Sequence, residues 1–494
     1  MTDTYQNWIG GKWVPSASGD TFESRNPANM DEVLGTFPTS NAQDVDAAVQ
    51  AARDAYPDWL DTPAPERGDY LLRVALLLEE RIDEWSELMT REMGKTLKES
   101  RGDIQEGIDF LHYMAGEGRR MFGHTVPSEL RDKFSMTVRH PIGVVGLITP
   151  WNFPIAIPTW KLGPAILSGC TSVFKPAEDT PLLATLLVQA LEEVGLPPGV
   201  VNLVHGFGEE AGAPIVEHPD VRAVSFTGSL EVGRRINERC GALMKRCSLE
   251  LGSKNVMIVM PDADMDLAVE AASWGAFATS GQRCTATSRL VVHDAAREEF
   301  TRRMLERVEG MKVGSGLDPE VELAPVINAK QKERILEYIE IGKQEGAKLL
   351  TGGEELTGDG YDKGNFIAPT VFDDVKPDMR IAQEEIFGPV TAIIRTDDVD
   401  EAIRMANSVE YGLSAAIYTH EITNVFKAVK ELEFGIVYVN APTIGAEIQL
   451  PFGGMKNTGN GHREAGPQAL DEFMEWKAVS VDYSGKVQKA QGID

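Results

Sequence analysis

Cys284 lies in the stretch TSGQRCTATSR (residues 279–289), Glu250 in LELGSK and Asn152 in TPWNFP, each beside turn-forming residues at the end of an apolar run. Taken singly, each has a plain structural role: Asn152 as a turn residue, Glu250 as a charge ending a strand, Cys284 as a small buried side chain. Taken together they compose an acyl-transfer site. A thiolate attacks a carbonyl carbon, and the oxyanion that forms needs preorganised donors, here the Asn152 amide and the backbone N–H of Cys284. Collapse of the adduct can expel hydride to a nicotinamide on the other face. The thioester left behind is hydrolysed by water that Glu250 activates. A free thiol titrates near pH ~8.5, so the site must lower that value or deprotonate the thiol transiently, and Glu250 is a base for both steps.

Two further loops bear on a cofactor. FTGSLEVG ends a strand at Gly228 and opens a helix at Ser229, where backbone N–H groups and the helix dipole face an anion such as a pyrophosphate. FKPAE supplies Lys175 and Glu178, an ammonium and a carboxylate suited to ribose hydroxyls. A carboxylate there disfavours an added 2′-phosphate, which tilts the choice to NAD and leaves NADP as the second option. HGFGEEAG, with Gly206, Gly208 and Gly212, misses the G-x-G-x-x-G spacing by one residue.

The elements that must position these groups follow from periodicity. Residues 50–120 carry apolar side chains at helical spacing and predict several amphipathic helices. From Gly143, short β-type runs (GVVGLI, TSVFKP, VVNLVHG, AVSFTG) alternate with helical segments, predicting a parallel sheet covered on both faces, with ligands at the carboxyl ends of its strands. A second α/β series begins near Gly252, with NVMIVM, SRLVVH, TAIIRT, SAAIYTH and GIVYVN as strands. HTVPSELRDKFSMTVRH (124–140) and DEFMEWKAVSVDYSG near the end read as strands outside both series that pair into a small module.

Composition sets the outer bounds. The chain has 494 residues, 42% of them apolar, enough for two or three packed domains. Its net charge of −28 repels nucleic acid and anionic lipid and reads as a solvated acidic surface. No signal peptide or membrane-length apolar run is apparent, and four cysteines are too few for a disulfide scaffold, so a cytoplasmic protein with reduced thiols is expected. With no CxxC, no HExxH and scattered histidines, no metal is expected. Cys170, Cys240 and Cys247 read as buried structural thiols.

TPWNFP, WKLGPAI, FKPAE, FTGS, LELGSK, GQRC, EEIFGP and LPFGG stand in the order seen in the NAD(P)-dependent aldehyde dehydrogenase superfamily, and the resemblance runs from about Trp8 to Asp482. It implies an α/β fold with a Rossmann-type parallel-sheet cofactor domain (1–122 and 142–252), an α/β catalytic domain (253–453) and a small β oligomerisation domain (123–141 and 454–494) that builds homodimers or homotetramers. It also implies Cys284 as nucleophile, Glu250 as general base and Asn152 as oxyanion donor. Trp151, Lys175, Glu178, Gly228, Ser229, Glu385 and Phe387 fall at cofactor positions, and Lys161 with Glu464 at a proton-relay pair. Two departures from the family pattern stand out: Ser253 replaces a glycine of LELGGK, close to the base, and GNGHREAG carries one extra residue, His462, which bears on Glu464.

Glu250 favours hydrolysis over transfer of the acyl group to coenzyme A, since acylating branches commonly lack that carboxylate. The GQRC stretch resembles branches acting on aldehydes with a distal anion. Arg283, together with Phe153, is accordingly a substrate-side candidate, although a structural arginine paired with a nearby acid explains Arg283 equally. HREAGPQALDEFMEWK with VDYSG resembles semialdehyde dehydrogenases of sugar-acid or amino-acid breakdown, which implies a semialdehyde such as 2-oxoglutarate semialdehyde, ahead of the open form of pyrroline-5-carboxylate and of simple aliphatic aldehydes. An inactive scaffold of the same fold is the non-enzymatic alternative.

Overall fold

The computed structural model describes residues 3–358 and 360–491. Three long helices lead in, Ala42–Asp61, Ala64–Met93 and Leu97–Glu117. Capping boxes at Asn41 and Thr96 satisfy the first N–H groups of the first and third, and Gly94, at φ 94°, ends the second.

Five parallel strands of the first sheet lie in the order Arg246–Glu250, Ala223–Thr227, Val144–Ile148, Thr171–Lys175, Val201–Leu203, and an antiparallel hairpin, Asn7–Ile9 and Lys12–Val14, extends the far edge. Val144–Ile148 and Thr171–Lys175 are buried throughout, which is why Val144–Ile148 reads as an unbroken apolar run. The second sheet runs Lys348–Thr351, Thr370–Asp373, Val390–Thr396, Arg289–His293, Val256–Val259, Ser414–Tyr418, Ile436–Val439, parallel except for Lys348–Thr351. Its first two strands, four residues each, escaped the sequence reading. The loops at the carboxyl ends of the first sheet face the loops that enter the strands of the second, and the chemistry-bearing residues gather in that gap.

Met474–Asp482 pairs antiparallel with Lys133–Pro141, which also pairs with Thr125–Val126, so the two segments set apart by their pattern form one three-stranded arm. Residues 454–473, expected to belong with the arm, instead turn back over the gap. Met455–Lys456 pairs with Tyr411–Gly412, Gly459 bridges to Glu250, and Glu464 to Phe452. Among the described residues it is the strand after Phe473 that pairs with the arm, Asp471 before it reaching the arm by an ion pair with Arg139, while backbone hydrogen bonds tie the preceding loop to both lobes.

Candidate active site

The thiol loop is held by contacts from every side. Thr279, Ser280 and Gly281 are three consecutive residues in the left-handed region, at φ 53°, 55° and 67°, a conformation that non-glycine residues keep only when neighbours enforce it. The Thr279 N–H donates to Glu99 (2.6 Å), the Ser280 hydroxyl to the Ala324 carbonyl (2.5 Å), and Ile327 N–H to the Gln282 side chain (3.0 Å). Gly281 lacks a side chain because a Cβ would sit 2.0 Å from the Gly388 carbonyl oxygen. Cys284 follows, half-buried, its carbonyl accepting from Asn255 Nδ2 at 2.7 Å.

Asn152, at the carboxyl end of Val144–Ile148, reaches the same loop from the first sheet. Its buried Nδ2 donates to the Gln282 carbonyl (3.1 Å), leaving the second N–H of that amide for an oxyanion. The turn carrying it is pinned by a fully buried ion pair, Lys95–Asp103 (2.9 Å): Lys95 donates to the Asn152 carbonyl (2.8 Å), and Asp103 accepts from Ala156 N–H (2.7 Å).

Glu250 ends the strand Arg246–Glu250 with both carboxylate oxygens lacking a hydrogen-bond partner among the described residues. Burial, then the proximity of Glu464 and Glu472, holds its carboxyl well above the usual range. Burial and the carboxylates of Glu385, Glu250 and Glu464 likewise push the Cys284 thiol up. The resting site therefore keeps a neutral thiol beside a base of raised proton affinity, a pairing suited to proton transfer during attack. Ser253 turns away from the base: its hydroxyl donates to Asn255 Oδ1 (2.8 Å) and accepts from Leu413 N–H (3.3 Å). It thereby orients the amide that holds the Cys284 carbonyl.

Glu464 meets Lys161 in a buried ion pair and accepts from Thr227 Oγ1 (3.3 Å). Reciprocal backbone hydrogen bonds between Phe452 and Glu464 restore the register, so the extra residue at His462 is absorbed in the turn before it.

A cavity of about 1150 Å³ opens at the carboxyl ends of strands of the first sheet, and Trp151, Lys175, Glu178, Gly228 and Ser229 all line it. Lys175 is buried, which lowers its proton affinity; it donates to the Pro176 carbonyl (2.7 Å) and stands 3.7 Å from Glu178. Ser229 caps the helix Leu230–Ala242. The N–H of Gly228 is taken by the Glu250 carbonyl (3.0 Å), so Gly228 offers the cavity no free donor, and a Cβ there would lie 2.5 Å from the Phe226 ring. Glu385 and Phe387 line a smaller adjoining recess. Glu385 accepts from Ser253 N–H (2.7 Å), burial pushes its carboxyl up to about 7, and Phe387 meets Trp151 edge to face at 5.4 Å.

Arg283 donates from Nε to Thr279 Oγ1 (2.9 Å), stands 3.8 Å from Glu99 and lies 5.2 Å from the Phe153 ring centroid. The acid partner expected of a structural arginine is thus present.

Sequence reasoning missed Lys95, Asp103, Gln282, Glu99 and Asn255. Asn255 did carry a signal, an amide placed directly before the apolar strand VMIV; the others meet the site from distant segments.

Residues 13–479 match the Aldehyde dehydrogenase family. The chain belongs to that family. Alpha-ketoglutaric semialdehyde dehydrogenase of Bacillus subtilis (strain 168) is 45% identical over 479 residues, covering 97% of this chain and 98% of the relative. The 2,5-dioxopentanoate dehydrogenase of Saccharolobus solfataricus is 44% identical, with 96% and 99% covered. Among solved structures, a betaine aldehyde dehydrogenase from Staphylococcus aureus in complex with NAD+ superposes with a TM-score of 0.95 at 35% identity, covering 98% of this chain and 95% of the other. An NAD+ complex of a Bacillus cereus aldehyde dehydrogenase gives 0.94 at 39% identity, with 97% of each chain covered. The two solved structures share the fold of this chain over nearly its whole length.

Proposed function

We propose that the protein oxidises an aldehyde to a carboxylic acid with NAD, through a thioester on Cys284. The observation that carries this reading is the convergence of Cys284, Asn152 and Glu250 from two sheets beside a cavity of dinucleotide size. Cys284 Sγ passes its proton to Glu250 as it adds to the aldehyde carbon, while the Asn152 amide and the Cys284 N–H stabilise the oxyanion, and Glu250 gives that proton up to solvent before the second step. Bound NAD supplies the acceptor for the hydride that leaves as the adduct collapses. Glu250 then takes a proton from water, whose oxygen attacks the thioester carbonyl, and the sulfur departs.

The cavity residues fit NAD on their own chemistry. Lys175 and Glu178 suit the ribose hydroxyls, the carboxylate disfavours a 2′-phosphate, and the N-terminus of the helix Leu230–Ala242 suits the pyrophosphate. Trp151, Glu385 and Phe387 border the side nearest the thiol.

For the substrate we infer a semialdehyde with a distal carboxylate, 2-oxoglutarate semialdehyde first, supported by the names of the most similar relatives and by Arg283 on Phe153 near the thiol. The arm exposes Phe134, Trp476 and Val481, and Ile436–Val439 leaves one edge of the second sheet open. Both features support a homodimer or homotetramer. Reduced cysteines and an acidic surface suit the cytoplasm.

The test is stopped-flow NADH formation with 2-oxoglutarate semialdehyde, glutamate semialdehyde and hexanal, with NAD and with NADP. Cys284→Ala is expected to abolish turnover while NAD binding persists. Glu250→Gln is expected to retain one burst of NADH and lose roughly 10²-fold or more in steady turnover. Normal oxidation by Cys284→Ala refutes the thioester route, and a tenfold preference for hexanal refutes the substrate.

A further inference from the structure

Glu106 takes no part in the chemistry described above. It lies on the helix Leu97–Glu117, one turn after Asp103 and one before Phe110, on the face that packs against residues 152–160. Asp103 accepts from Ala156 N–H (2.7 Å), a Cβ on Gly107 would stand 2.9 Å from the Ile155 side chain, and Phe110 meets Trp160 at 5.9 Å. The helix thus holds Glu106 beside the turn that carries Asn152 and Phe153.

Glu106, Phe153, Arg283, Cys284 and Tyr438 are each partly exposed, although buried residues surround them in the chain. The Glu106 carboxyl is close enough to the Cys284 thiol and the Tyr438 hydroxyl for its charge to act on both. None of Glu106, Phe153, Arg283 and Tyr438 lines the dinucleotide cavity. They border an approach to the thiol that a bound dinucleotide leaves free.

The charges along this approach are unevenly matched. Lys95 is compensated by Asp103 at 2.9 Å. Arg283 gives its Nε–H to Thr279 and stands 3.8 Å from Glu99, beyond hydrogen-bond length, so its terminal N–H groups stay available to a ligand. Glu106 has no hydrogen-bond or ion-pair partner among the described residues. The groups that face it are Asp103 and Asp109 on its own helix, Lys95 in the turn before, Arg283 and Cys284 on the thiol loop, and Tyr438 on the second sheet. Burial, then Asp103, pushes its carboxyl up to about 8, against the opposing pull of Arg283 and Lys95. In neutral solution Glu106 is therefore a carboxylic acid with an O–H to donate.

The geometry points to Glu106 as a specificity-determining residue that donates its O–H to the distal carboxylate of the substrate, opposite the guanidinium fork of Arg283. This inference rests on the semialdehyde reading given under the proposed function and deepens it. A substrate carboxylate beside Glu106 favours the protonated acid, and an ionised Glu106 repels the substrate. Binding of the anion therefore takes up a proton once the pH exceeds about 8, whereas an uncharged aldehyde takes up none.

The experiment compares wild type, Glu106→Gln and Glu106→Leu by kcat/KM for 2-oxoglutarate semialdehyde and for hexanal, with NAD, from pH 6.5 to 9.5. The ratio of the two values cancels groups that serve both aldehydes. In wild type the ratio is expected to stay level to pH ~8 and then to fall up to about tenfold per pH unit. Glu106→Gln keeps an N–H to donate, so it should retain a semialdehyde preference at pH 7 and lose the alkaline fall. Glu106→Leu should lower the ratio roughly tenfold at pH 7, through KM for the semialdehyde more than through kcat. Circular dichroism establishes which variants fold, and Glu106→Gln decides the matter should Glu106→Leu not fold. An alkaline fall in Glu106→Gln equal to that of wild type, or a ratio in folded Glu106→Leu that is unchanged or higher, overturns the role of Glu106 alone. A wild type that prefers hexanal at every pH overturns the substrate reading and this inference with it.

Discussion

The side chain of Asn152, carried by the first sheet, donates at 3.1 Å to the backbone carbonyl of Gln282, two residues before Cys284 on a loop entering the second. One amide therefore both fixes the thiol loop and offers its remaining N–H to the oxyanion. Asn152→Ala should lower kcat/KM by roughly 10²- to 10³-fold and lower stability by only about 1–2 kcal/mol. Stopped-flow acylation rates beside urea unfolding check this. A loss of activity fully explained by unfolding sinks it.

Gly281 separates the strained pair Thr279–Ser280 from the thiol, and its φ of 67° and the 2.0 Å approach to the Gly388 carbonyl leave no room for a methyl group. Gly281→Ala should destabilise the protein by about 2–4 kcal/mol and push the Cys284 loop away from the neighbouring EEIFGP loop. Reactivity of Cys284 toward iodoacetamide, measured at a temperature where the variant is folded, should then differ from wild type. An unaltered rate with full stability contradicts the packing.

Glu92 lies buried and accepts from Leu182 N–H (2.6 Å), Leu183 N–H (3.0 Å) and Ser24 (3.2 Å), yet burial outweighs these donors and pushes its carboxyl up to about 8. Between pH ~4.5 and ~8 the folded state holds a proton that the unfolded chain has released, so this group makes stability fall as pH rises through that window. Below it both states are protonated and the contribution vanishes. Glu92→Gln removes the titration and keeps an acceptor, so its unfolding midpoint should gain on wild type from pH 5 to 8. Parallel midpoints across that range refute the assignment.

The thiol, the base and the oxyanion amide were legible because each sits in a short stretch whose composition already serves a turn at a strand end. The parallel strands of both sheets largely followed from their short β-type runs; the hairpin Asn7–Ile9 and Lys12–Val14 and the four-residue Lys348–Thr351 and Thr370–Asp373 did not, being too short to show a period. What positions the site was far less visible. Thr279 and Ser280 have none of the usual marks of left-handed backbone, which is imposed here by Glu99, Ala324 and Ile327 from distant segments. Lys95 and Asp103 read as ordinary helical charges until the fold closes over them. The return of residues 454–473 across the gap depends on hydrogen bonds to Glu250, Phe452 and Tyr411 that no local pattern announces.

The anchoring of residues 279–284 has a consequence for motion. Asn152 grips this loop from one lobe, Asn255 from the other, and Glu99 from the leading helices. A hinge that swung the lobes apart would tear the nucleophile from its oxyanion donor. A dinucleotide entering through the flank bordered by Glu178 and Ser229 needs no such opening.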